Sequence, residues 1–78
     1  MKPWVKKGAV CCCQQEGAPG SLWEVIMIDR DRQMVWLEAH GSGVTVNGTI
    51  YVPCLGWRPI SKCYRTDQSR QAEKTKSP

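Results

Sequence analysis

A chain of 78 residues holds one domain at most, and a domain that small buries only about 60% of the surface its unfolded chain exposes. The hydrophobic fraction, 41%, excludes wholesale disorder, and no apolar run is long enough to span a membrane. The net charge of +4 sits at the ends: Lys2, Lys6 and Lys7 make residues 1–7 +3, residues 61–78 are +3, and residues 8–60 between them are −2. A slightly acidic body argues against a sheet that tracks phosphates across its face.

The basic start, Met1 to Lys7, is followed by no apolar stretch of the kind a signal peptide needs. The cysteines point the same way. Their number, five, is odd, and three are adjacent, Cys11-Cys12-Cys13. Neighbouring cysteines bridge only through a strained ring, so the expectation is reduced thiols acting as small apolar side chains in the cytoplasm. In that setting Asn47-Gly48-Thr49 reads as a turn rather than a glycosylation site.

In chain order, residues 8–13 form a first apolar strand. The loop at 14–21 contains Gly17, Pro19 and Gly20. Residues 22–28 are rich in β-branched and aromatic side chains and read as a second strand. Trp23, Val25 and Met27 share one face of it, and Leu22, Glu24, Ile26 and Ile28 the other. Both faces are largely apolar, which predicts burial on both sides or a subunit contact. Asp29-Arg30-Asp31-Arg32 is a charged turn into a third strand at 33–39. There Val35, Leu37 and Ala39 face inward, and Met34, Trp36 and Glu38 point away. After the loop at 40–43, residues 44–46 and 49–52 flank Asn47-Gly48, a dipeptide suited to a two-residue hairpin turn because both positions need positive φ. Pro53 ends that ladder, and residues 55–60 lead into a last strand. No window has a helical period. Residues 65–78 hold no Val, Ile, Leu, Met or aromatic residue, so a disordered basic tail is expected there, after a domain at 1–64.

Five or six short antiparallel strands with tight turns predict an all-β, SH3-like small barrel, since closure removes exposed edges. The long loop after the first strand, the charged turn and the Val52-Pro53-Cys54-Leu55-Gly56-Trp57-Arg58-Pro59-Ile60 end resemble Tudor and KOW-type members of that group across residues 5–60. Lys6-Lys7-Gly8, Trp23, Glu38-Ala39-His40 and Ile50-Tyr51-Val52-Pro53 also resemble the type II dihydrofolate reductases carried by plasmids and integrons. That family places a Val-Gln-Ile-Tyr strand before a proline. Here Thr49-Ile50-Tyr51-Val52 stands in its place, without the glutamine, so the resemblance implies the fold and not the activity.

Chemistry is sparse. Cys11, Cys12, Cys13, Cys54, Cys63 and His40 are the zinc-ligand types present, but none form a Cys-x2-4-Cys pair, so no metal or other cofactor is expected. His40 lies among glycines, and neither Ser42 nor Cys54 sits in a nucleophile motif. Asp29 and Asp31 share their turn with Arg30 and Arg32 and read as a solvated tip. No phosphate-binding loop is present.

Two binding readings remain. Four tryptophans exceed what so small a core hides, and Trp23, Met34 and Trp36 are the candidates for a protein-interaction face; the plain alternative is that the aromatics line the second sheet of the barrel. Trp4, Lys6, Lys7, Trp57, Arg58, Lys62 and Arg65 are the candidates for a nucleic-acid interface, pairing cations with stacking rings at the chain ends; the plain alternative is a core Trp57 with solubilising ends. The expectation is a non-enzymatic protein-interaction module, an accessory protein of a phage or other mobile element. Its expected partner is a protein, with nucleic acid the alternative, a homo-oligomer a further option and no membrane association.

Overall fold

The structure, a computed structural model, describes residues 2–17, 20–41 and 44–76. Pro19 of the first loop, Ser42 and Gly43 lie outside the described residues. Among the described residues the strands are β1 (Val10–Cys13), β2 (Trp23–Asp29), β3 (Met34–Ala39), β4 (Val44–Val46), β5 (Thr49–Tyr51), β6 (Cys54–Pro59) and β7 (Cys63–Tyr64). A single 3-10 turn, Ile60–Lys62, joins β6 to β7, and the helix α1 spans Asp67–Lys76.

The main sheet runs β6-β3-β2-β1-β7, antiparallel at every pairing, and β4-β5 form a separate two-stranded ribbon. The chain is therefore mainly β, as composition predicts, but the sheet is not a closed barrel: β6 and β7 end it without pairing to each other. What stands in for closure is the helix. The expectation of a disordered tail fails for residues 67–76 because local capping and tertiary contacts replace the missing apolar face.

Thr66 and Ser69 cap that helix reciprocally. The Ser69 amide donates to Thr66 Oγ1 at 3.1 Å, and the Thr66 amide donates to Ser69 Oγ at 2.8 Å. Orphan N–H groups of the first turn are thus satisfied. Asp67 adds a carboxylate at the positive end of the helix dipole. Gln, Arg, Ala, Glu and Lys, all good helix formers, fill most of the remainder.

The core consists of Val5, Ala9, Cys11, Cys13, Trp23, Val25, Val35, Leu37, Ile60 and Cys63. β1 is buried along its whole length. Cys11 and Cys13 face this core. Val10 and Cys12 occupy the other side, where α1 packs on β1 and Ser69 is fully buried. A strand covered on both sides reads as an unbroken apolar run, which is what Ala9-Val10-Cys11-Cys12-Cys13 is.

Two irregularities decide which residues face out. The β2–β3 register shifts between Val25 and Met27, leaving Ile26 as the extra residue. Before the shift Trp23 and Val25 point inward; after it Ile28, opposite Val35, points inward and Met27 is exposed. The expectation that Trp23, Val25 and Met27 share a face therefore holds only for the first two. In β6 the register shifts beside Leu37, and Gly56 takes a left-handed φ of 76°. Asn47 (φ 52°) and Gly48 (φ 80°) form the expected two-residue turn.

Candidate functional site

Met27, Trp36 and Trp57 lie directly opposite one another across β2, β3 and β6. This makes a row of large apolar side chains across the outer face of the sheet. Trp57 is 40% exposed, Met27 43%, and Trp36 between them is half-buried. The two indoles meet edge to face, with centroids 5.8 Å apart and planes at 83°, a geometry worth about 0.5–1.5 kcal/mol beyond burial. Trp36 Nε1 donates to Glu38 Oε2 at 3.2 Å, which fixes the ring. Gly56 lies against the ring: a Cβ there would sit 3.7 Å from it, an ordinary contact.

Met34 extends the row. It lies between Asp29 and Pro59 in register, and with Asp29, Arg32 and Trp57 it lines a surface hollow of about 310 Å³. Carboxylates border the face. Glu24 and Glu38 are directly opposite each other on β2 and β3, and His40 Nδ1 lies 3.7 Å from Glu24 Oε1. Like charges in register repel, so the pair favours a neighbouring cation.

Of the three residues expected to form an interaction face, Met34 and Trp36 are brought together on this surface. Trp23 is not: at 8% exposure it belongs to the core. Met27 and Trp57 take its place. The β2 bulge exposes Met27, and a bulge leaves little trace in an apolar sequence.

The nucleic-acid candidates are dispersed. Trp57 and Arg58 point to opposite sides of β6, and Arg58 Nε donates to Glu16 Oε1 at 2.9 Å. Arg65 stacks over Trp4, with its guanidinium carbon 5.3 Å from the ring centroid, and pairs with Glu73 at 3.4 Å. Lys2 donates to the Cys63 carbonyl. The N-terminal segment thus meets residues 63–73, but these contacts occupy the charge of Lys2 and Arg65. Lys6, Lys7 and Lys62 are exposed; Lys6 and Lys7 precede β1, whereas the Lys62 carbonyl accepts from Gln14 just past its end. The length of β1 separates them.

The thiols form an interior group. All five cysteines are free, and only Cys54 is exposed. Cys11 and Cys13 meet Cys63, which is paired with Cys13 across β1 and β7. The hydrogen bond to Cys63, together with burial, raises the Cys11 thiol far above its ordinary range. Burial pushes Cys13 up to about 11. The hydrogen bond from Cys11 lowers Cys63 against the effect of its own burial. Among the described residues no group of three or more His, Cys, Asp or Glu side chains is placed to hold a metal ion.

No family model, curated protein or solved structure matches this chain. Among the described residues no helix is long and apolar enough to cross a membrane.

Proposed function

We propose that the chain is a non-enzymatic protein-interaction module. Its outer sheet face receives a partner segment that carries apolar and basic side chains together. The observation that carries this reading is the Met27-Trp36-Trp57 row with Glu24, Glu38 and Asp29 at its margins. Exposed tryptophans supply the anchor chemistry common at protein interfaces. Glu24 and Glu38 attract Lys or Arg from a partner and disfavour phosphate beside them, whereas Asp29 is met by Arg32 in the same hollow. The strand order, with a 3-10 turn between the last two strands, supports reading the sheet as an opened SH3-like arrangement.

The test is titration of the full chain with short peptides that combine Leu or Trp with Lys and Arg, followed by tryptophan fluorescence. A basic-apolar peptide is expected to change the emission, and Trp57→Ala and Trp36→Ala each to weaken binding by about tenfold or more. An acidic peptide of the same apolar content should not bind. Retardation of single-stranded DNA or RNA at low salt, with no response to peptides, would overturn the reading in favour of a nucleic-acid module built on Lys6, Lys7 and Lys62.

A further inference from the structure

The β4–β5 ribbon is set apart from the main sheet. Val46 is 48% exposed, Ile50 69%, Tyr51 57% and Val52 47%. Residues 44–53 contain no charged side chain, although 23% of the whole chain is charged. The outer strands of the main sheet are guarded in the usual ways. β7 is two residues long and lies between Lys62 and Arg65, while β6 carries a register shift, Arg58 and Pro59. The ribbon is also short, at three residues a strand, and Pro53 follows it, but it carries no charge and no register shift.

Its open edge can be located. Val46 and Thr49 are partners across the two-residue turn and close it as a hydrogen-bonded pair. Pairs alternate in an antiparallel ladder, so the N–H and C=O of Ile50 point away from β4. The β5 edge thus presents the backbone groups of Ile50, with the exposed apolar side chains of Ile50, Tyr51 and Val52 around them.

We infer that a second copy of this chain pairs with β5 edge to edge, antiparallel about a two-fold axis. The two ribbons then make one four-stranded sheet. A two-stranded ribbon alone is marginal in water, and three or more strands are needed for a sheet that stands by itself. The same deficiency exists on each copy, and a single isologous contact removes it from both. Neither arm brings charge to the contact, and the +4 of the chain lies elsewhere. This surface is separate from the outer face of β2, β3 and β6, so the two proposals fail independently.

Sedimentation velocity of the full chain from low to high micromolar concentration tests the inference. The expected result is a shift from monomer to dimer mass. Ile50→Lys should remain a monomer while keeping the thermal unfolding of the main sheet. In the wild type, amide exchange at Ile50 should slow by about tenfold or more as the dimer forms, with less change at Thr45. A monomer at every concentration would overturn the inference. So would a dimer that survives Ile50→Lys, whether or not Trp57→Ala removes it; its loss in Trp57→Ala would place self-association on the sheet face. Protection at Thr45 rather than Ile50 would overturn the assignment to β5.

Discussion

Glu73 Oε1 accepts a hydrogen bond from the amide of Val10 at 2.9 Å, across 63 residues of sequence. β7 pairs only with Cys12 and Cys13, so the first half of β1 lacks a strand on that side. The helix carboxylate takes the N–H that a longer β7 would have bound. The same oxygen lies 3.4 Å from Arg65 Nη1, and Arg65 in turn covers Trp4. One side chain therefore ties the C-terminal helix to the sheet edge and to the N-terminal segment.

Glu73→Ala is expected to destabilise the chain by about 1–3 kcal/mol, because it strands a buried amide donor and the guanidinium of Arg65 together. Glu73→Gln keeps an acceptor and should cost less. Urea unfolding of both variants measures the difference, and equal midpoints for wild type and Glu73→Ala would refute it.

The cap of α1 gives a local counterpart. Thr66→Ala removes the acceptor for the Ser69 amide and should cost about 1 kcal/mol. Amide exchange in residues 67–76 should accelerate while β2 and β3 stay protected. Loss of the far-ultraviolet helix signal before the main unfolding transition would give the same result by circular dichroism.

Gly56 should resist substitution. Its φ of 76° costs any other L-residue about 1–2 kcal/mol, while a new Cβ would meet the Trp36 ring at an ordinary contact distance, so the cost lies in the β6 backbone on which Trp36 rests. Gly56→Ala is expected to lower the melting temperature and to alter tryptophan fluorescence. Unchanged values for both would show that β6 can adjust without moving Trp36.

Thiol chemistry separates the surface from the interior. With a thiol-reactive disulfide reagent at neutral pH, Cys54 should react first and the other four only on unfolding. The pH dependence follows from Cys13. Its unfolded thiol ionises near ~8.5, whereas the folded one keeps its proton up to about 11. The folded state binds the extra proton in that interval, so this contribution to stability is complete below ~8.5 and is lost as the pH rises through about 11. Cys11 is raised as well and adds to the same fall, whereas Cys63, which is lowered, does not offset it in that interval. Melting temperatures should fall across that range, and less steeply in Cys13→Ala.

The strands were legible because their signals are local. Residues 22–28 and 33–39 alternate or run apolar, and Asn47-Gly48 specifies its turn through backbone sterics alone. The outward direction of Met34 and Trp36 followed from the same period of two. The helix left fainter marks: Thr66-Asp67 at its start and Lys74 and Lys76 at its end, in the order its dipole favours. With no apolar stripe, those marks cannot be told from a solvated tail, because what holds α1 is Glu73 on Val10 and Ser69 buried over β1.

By itself, then, the sequence determined a small β-rich chain, its turns, an acidic body between basic ends and a surplus of tryptophan. Tertiary structure decided that the sheet stays open, that Trp23 goes inside and Trp57 joins Trp36 outside, and that Arg58 and Arg65 spend their charge on Glu16 and Glu73. The physical reason is range. Turn sterics and strand alternation act over a few neighbouring residues and are written in order along the chain. A register shift, an edge left unpaired and an ion pair between distant segments depend on which strands come to lie side by side, and that becomes defined only when the whole chain packs.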